Sequence, residues 1–319
     1  MPEKDPYVVV VGGVNIDIGG KPHGPLLERD SNPGEVRVSI GGVGHNIARN
    51  LALLGLKVIF LTAVGEDENG LRVIRDCTAA GIDCSRVIRA ADARTSVYLF
   101  ISDEQGDMRL AVSDMAICER ITPDVLESAR DLLSAASAVV MDANLPQTAI
   151  DWLAKHCTAP LFADPVSVAK AGKFRRVLGR LSALKPNRLE AELLSGMAIR
   201  TQEDLEEAAA RMISKGLRQV YISMGTQGVF AAEPDQSLRV PCCPAEARNM
   251  TGAGDAFMAA LVWAHLSGLD LGASARAAAA AAAVAVEGAD TINPLLSVDT
   301  MKAKMTESGG CADAGLLIQ

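Results

Sequence analysis

The stretch that most limits the fold is residues 7–11, Tyr7-Val8-Val9-Val10-Val11, stopped by Gly12-Gly13. A β-branched run with no polar alternate position has no side that tolerates water. It predicts a central strand covered on both faces, as in parallel sheets whose crossovers are helices. The chain beyond Lys57 follows that rule. Strand patterns at 58–61, 138–141, 161–163, 182–184 and 220–222 alternate with helical patterns at 71–80, 123–133, 148–155, 189–194 and 203–213. Sequential βα units predict a mostly parallel sheet with right-handed crossovers. No fixed-period repeat and no Pro/Gly/Ser-rich linker divides the chain, so 1–319 reads as one domain.

Some strands do not belong to that series. Val36, Val38 and Ile40 alternate with charged or polar residues after the turn Asp30-Ser31-Asn32-Pro33-Gly34. Val97, Leu99 and Ile101 alternate up to Asp103-Glu104-Gln105-Gly106-Asp107, and Met108, Leu110 and Val112 alternate after it. They predict a small sheet outside the main one.

Composition narrows the classes. Hydrophobic residues make up 49% and charged residues 22%, enough for a large core and no sign of disorder. A net charge of −8 without a Lys/Arg-dense run argues against a nucleic-acid surface. Seven scattered cysteines without a C-x-x-C predict free thiols in a reducing cytosol and no zinc site. The polar N-terminus runs directly into a strand, so no signal peptide is expected. The longest apolar run, 277–286, is too short for a bilayer. The expectation is a soluble, cytoplasmic protein without a membrane partner.

Chemistry concentrates in a few motifs. Thr251-Gly252-Ala253-Gly254-Asp255 opens a helical run over 255–264. Small residues leave the first N–H groups of that helix open, and those groups with the helix dipole favour an anion. Asp255 then has two readings: a carboxylate that complements the dipole, or a general base beside an anion hole. Gly41-Gly42-Val43-Gly44-His45-Asn46 is either a plain strand-to-helix turn or a close backbone approach to a ligand. Asn15 and Asp17 fall on one side of an extended segment just past the first strand, where open α/β sheets bind ligands. Turn preference alone also accounts for them. Asp142 and Asp164 sit at strand ends, as caps or site groups. Lys170 follows Asp164-Pro165-Val166-Ser167 and is a solvated or a substrate-facing lysine.

Lys185-Pro186-Asn187-Arg188-Leu189-Glu190 has the spacing of a capping box. Ser223, Gly225 and Gly228 bound a turn, and 220–222 with 229–232 reads as a hairpin. The alanine-rich run 272–287 reads as a helix packed close against its neighbours. No G-x-x-x-x-G-K-[ST] occurs, so phosphate handling would fall to the 252–254 turn.

The 251–255 motif resembles the C-terminal signature of the ribokinase-like (PfkB) family of sugar and nucleoside kinases. Gly41-Gly42-Val43-Gly44-His45-Asn46-Ile47-Ala48 resembles its N-terminal signature, and Lys185-Pro186-Asn187 with Glu190 its third. The likeness runs from about residue 7 to 295. Within the family it is greatest to the pseudouridine kinase subgroup, through 30–34, 41–44, Ser113-Asp114-Met115, 164–167 with Lys170, and 184–192. The resemblance implies a three-layer α/β/α fold, with a small β-sheet lid from about 15–40 and 95–114 that often forms a homodimer.

It implies ATP-dependent transfer to a sugar hydroxymethyl. Asp255 would be the base, and Gly252, Ala253 and Gly254 the anion hole. Asn15, Asp17, Gly41, Gly42 and Asn46 would face the sugar, with Ser31, Asn32, Asp114 and Lys170 toward the rest of the substrate. Asn187 and Glu190 would organise Mg²⁺. Asn187, Ser223, Gly225, Gly228, Thr251, Gly254 and Asn293 would line the nucleotide, with adenine near 288–294. K⁺ activation is common in the family, but Asn249 stands where many members have Asp, which weakens a cation site. His45 departs from the arginine usual in the subgroup. Alternatives are a ribokinase or fructokinase, a non-catalytic sugar- or nucleoside-binding protein on the same fold, and a nicotinamide-dependent oxidoreductase. Against the last, Phe257 stands where a third glycine is needed.

Overall fold

The valines of the first strand divide between two separate cores: Val9 and Val11 join one, Val8 and Val10 the other. That division is why the strand carries no polar position. The computed structural model describes residues 6–307. In chain order they form β1 (Tyr7–Val11), β2 (Asn15–Pro22), β3 (Gly34–Gly41), α1 (Val43–Leu53), β4 (Lys57–Leu61), β5 (Ala63–Gly65), α2 (Glu68–Ala79) and β6 (Ile88–Ala90). Next come β7 (Val97–Ser102), β8 (Met108–Asp114), α3 (Pro123–Ser128), α4 (Arg130–Ser134), β9 (Ala138–Asp142), α5 (Gln147–His156), β10 (Leu161–Asp164) and α6 (Val168–Ala171). The remainder is β11 (Ala183–Leu184), α7 (Arg188–Ser195), α8 (Gln202–Ile213), β12 (Gln219–Ser223), β13 (Val229–Glu233), β14 (Gln236–Val240), α9 (Ala253–Leu266), α10 (Leu271–Val286) and α11 (Val298–Glu307).

The central sheet has eight strands in the order β14-β13-β12-β11-β10-β9-β1-β4. The run from β12 to β4 is parallel, and β13 and β14 close one edge antiparallel. Helices cover both faces, which gives three layers. The buried residues of α3, α4, α5, α7 and α8 belong to the core with Val9, and those of α1, α2, α9 and α10 to the core with Val8. The alanines of α10 pack against α9, as their small size predicts.

A second sheet stands apart, in the order β3-β2-β7-β8. Its strands fall within 15–41 and 97–114, where a small sheet outside the main one is expected. Several details differ from the sequence reading. The helix expected over 123–133 is broken at Ala129, whose φ of −105° and ψ of 9° leave the helical region. The edge strand β14 and the helix α11 carried no distinct pattern. Cys77, Cys84, Cys118, Cys157 and Cys242 are free thiols; Cys311 and the rest of 309–319 lie outside the described residues. No helix among the described residues is long and apolar enough to cross a membrane.

Candidate active site

Parallel strands that end side by side bring their following residues to one edge. At that edge β1 gives Gly12-Gly13, β9 gives Asp142, β10 gives Asp164, β11 is followed by Lys185, and β12 ends at Ser223. Glycines allow the crowding. A Cβ on Gly12 would lie 2.4 Å from Asp142 Oδ2, and one on Gly44 would lie 2.8 Å from the Gly12 carbonyl carbon. The Gly13 N–H donates to Asp142 Oδ2 at 2.8 Å. The glycine turn before α1 is thus seated directly on the end of β1, and Gly42, at φ 96°, starts the helix.

Asp255 occupies the first turn of α9, behind Gly252 at φ 85°. It is only 8% exposed. The Asn46 amide Nδ2 donates to its Oδ2 at 2.8 Å. Burial, reinforced by the negative charge of Asp164, pushes the Asp255 carboxyl up to about 7, while Asn46 and Lys185 pull the other way. A carboxyl titrating there can take a proton at neutral pH and release it again.

Lys185 brings a positive side chain to this group. Its Nζ lies 3.1 Å from Asp164 Oδ2, an ion pair between two buried groups. Burial works against the ammonium, but Asp164, Asp255 and Glu190 outweigh it and raise its pKa. The same Nζ would lie 2.8 Å from a Cβ on Gly254. A lysine charge therefore rests against the glycine turn at the start of α9. Within that turn the Asp255 N–H turns back to Gly252 O at 3.1 Å, which leaves the Ala253 and Gly254 N–H groups to face an anion.

The capping box is formed: Asn187 Oδ1 accepts from Glu190 N–H and Glu190 Oε2 accepts from Asn187 N–H, both at 2.9 Å. Glu190 is buried, and burial raises its pKa. Asn187 also bridges to Ser223 on the neighbouring strand end. Gly225 (φ 59°) and Gly228 (φ 86°) take the left-handed backbone of the turn that follows. Asn15 Nδ2 donates to Asp17 Oδ1 at 2.5 Å, and a Cβ on Gly41 would strike the Asp17 carboxylate. Burial raises the Asp17 pKa.

Other expected residues lie further out. Asn32 spends its amide on Leu27 and Asp30 within its own exposed loop, and Ser31 is exposed beside it. Asp114 is exposed at the end of β8. Lys170 is half-buried and donates to Asn144 Oδ1 at 2.6 Å, beside the Asp142 end of β9. Asn293 is buried with both ends of its amide on backbone groups of its own region. Asn249 ties Thr251 N–H to Ala289 O.

A cleft of about 590 Å³ opens beside that last pair, lined by Arg248, Glu287, Ala289, Asp290, Asn293 and Leu295 among others. A larger one, about 920 Å³, is lined by Pro25, Arg29, Asp103 and Arg109 among others. Neither contains Asp255.

Sequence reasoning passed over Lys185 as a site group, although it begins one of the motifs. Asp142 and Asp164 read as caps or site groups, and the structure brings both to the strand-end edge. Their position at adjacent parallel strand ends was the available signal.

Three comparisons bear on this arrangement. A profile described as pfkB family carbohydrate kinase matches residues 5–298. Pseudouridine kinase of Escherichia coli (strain K12) is 37% identical over 314 residues, 98% of this chain and 99% of that protein. Among solved structures, a carbohydrate kinase from Agrobacterium tumefaciens superposes with a TM-score of 0.83 at 30% identity, covering 94% of this chain and 97% of its own. Arabidopsis thaliana ribokinase complexed with ribose and ATP gives a TM-score of 0.84 at 24% identity, covering 95% and 99%, and shares the fold.

Proposed function

The chain belongs to the pfkB family of carbohydrate kinases, and on that premise we propose that it phosphorylates the 5′-hydroxyl of pseudouridine with ATP. The observation that carries the chemistry is Asp255. It is a buried carboxylate at a helix start, aimed by Asn46 and raised to about 7.

The residues divide the work as follows. Asp17, with Asn15, Asn46 and the glycine turn, holds the sugar hydroxyls so that the 5′-oxygen faces Asp255. Asp255 accepts the hydroxyl proton as that oxygen bonds to the γ-phosphorus and the bond to the leaving ADP oxygen breaks. The N–H groups of Ala253 and Gly254 and the Lys185 ammonium meet the charge on the transferred group. Phosphoryl transfer asks mainly for such positioning and neutralisation. Lys170, Ser31, Asn32 and Asp114 are the polar candidates for the base edge. Of these, Lys170 is the best supported by its position at the strand-end edge.

The buried carboxylates of Asp164, ion-paired with Lys185, and Glu190 are hard oxygen donors of the kind Mg²⁺ takes. They, with Asn187, would hold it, and it would shield the triphosphate charge. The cleft beside 288–294 would take the adenine, with Ser223, Gly225, Gly228, Thr251 and Gly254 along the phosphates. A monovalent cation near Asn249 would lack a carboxylate there. Equal rates in potassium and sodium buffers are the expected result.

We also propose a homodimer through the lid. One row of paired residues, Val38–Ile18–Leu99–Val112, crosses all four strands on one face. Val36 at 70%, Leu110 at 63% and Val112 at 59% exposure make that face apolar and uncovered.

The deciding assay is ADP release with Mg·ATP against pseudouridine, uridine, ribose, fructose and adenosine. Turnover with pseudouridine alone is expected. Turnover with ribose or fructose instead would keep the chemistry and discard the nucleoside assignment. No turnover with any acceptor would favour a binding protein on the same fold.

A further inference from the structure

His45 is 2% exposed, inside the glycine motif but outside every role given above. Its Nδ1 lies 3.2 Å from Asn46 Oδ1, and its Nε2 lies 3.5 Å from Asp76 Oδ2 on α2. Asp76 is in turn approached by Arg49 Nη1 at 3.5 Å. The order of donors follows from what each group can do. A carboxylate only accepts, so the Asn46 amide must present Nδ2 to Asp255. That leaves Oδ1 toward His45, and Oδ1 also only accepts. The ring must therefore donate from Nδ1. With Nδ1 donating, the Asn46 amide has one stable orientation. Without it, the amide can turn its oxygen toward the Asp255 carboxylate and repel it.

We propose that His45 is a positioning residue: its Nδ1–H locks the Asn46 amide, and so the direction of the Asp255 carboxylate, while Asp76 holds the ring from behind. The charged and titratable groups around the ring are Asp76 and Cys77 from α2, Asp17 from β2 and Arg49 on its own helix. This inference rests on Asp255 being the base.

The test replaces His45 in two ways. An asparagine amide can place its nitrogen where Nδ1 lies; a leucine cannot donate. His45→Leu is expected to lower kcat with pseudouridine and Mg·ATP on the order of 10- to 100-fold, as misaligned catalytic groups do, with KM for ATP within about twofold. His45→Asn is expected to recover kcat to within about fivefold of wild type. Asn46 stabilises the charged form of Asp255, so the acid limb of the His45→Leu pH profile moves to higher pH. In His45→Asn it stays in place.

Asp76→Asn, near the surface, tests the ring's support without opening the core; a smaller kcat loss is expected. In wild type, ¹⁵N NMR of the imidazole should show the proton on Nδ1, a readout independent of turnover. Wild-type kcat in folded His45→Leu, equal losses in both His45 variants, or a bare Nδ1 would each overturn the proposal. So would activity lost on dialysis against EDTA that Mg²⁺ fails to restore and zinc restores, since His45, Asp76 and Cys77 would then be metal ligands. A near-wild-type rate in Asp255→Asn would instead remove the base reading beneath it, whatever His45 does.

Discussion

Val9 in the central sheet and Val112 in the lid sheet are the same residue in the same extended backbone. The first is fully buried, and the second is 59% exposed. The connections make the difference. Parallel strands need long crossovers, and here these are helices that return across the sheet and cover both faces. The small sheet pairs β7 with β8 and β2 with β3 antiparallel, and α1 and α2, on the connection between its parallel pair β2 and β7, bury their apolar faces in the main core instead of on it. The covered sheet can hold Asp142, Asp164 and the neighbouring Lys185 in fixed places at its edge. The open one leaves its apolar face exposed.

The sharpest way to break this contrast is at Asp255. Asp255→Asn should lower kcat on the order of 10²- to 10⁴-fold with substrate binding retained, measured by steady-state rates and calorimetry. A near-normal rate would mean that the buried carboxylate is not where the chemistry happens. Next comes stability. Phe60→Ala, in the buried sheet, should cost about 3–5 kcal/mol in urea unfolding. Val112→Ala in the lid should fall within about 0.5 kcal/mol for a monomer. A costly Val112→Ala would show that the lid face is covered in solution.

Third, Leu99→Asp places a charge in the middle of the exposed row. Sedimentation should shift from dimer to monomer with the circular dichroism spectrum unchanged. A wild-type mass would discard the lid interface.

The smallest effect is in pH. The Asp255 carboxyl is held up to about 7, so kcat/KM should fall about tenfold per pH unit below that value. The same shift costs stability. An acid whose native pKa lies above its unfolded value loses folding free energy as pH rises from about 4 to about 7, and nothing further above. Asp255→Asn should therefore melt higher than wild type at pH 8, with the gap closing toward pH 4.

Much of the fold was legible before any coordinates, for physical reasons. A run such as residues 7–11 has one environment that suits it, and α10 needs close neighbours because alanine fills so little space. The lid was legible from alternation. The break at Ala129 was not, because both halves carry helical patterns and the kink depends on backbone angles that no residue type there demands. At the site, local motifs were readable because their parts are near in sequence. The Asn187–Glu190 capping box is such a case. Long-range pairings were not: nothing in the spacing announces that Asn46 reaches Asp255 across 209 positions, or that Lys185 rests on Gly254. The polar loop at Ser31 and Asn32 shows the opposite hazard, since its side chains largely hold the loop itself.

Gly252 has a final consequence. A Cβ there would come within 2.1 Å of the Thr291 carbonyl oxygen, so the turn ahead of Asp255 and the loop above the 590 Å³ cleft touch with no slack between them. A side chain at 252 would displace that loop and the start of α9 together, so their separation is fixed by the glycine itself and not by anything bound between them.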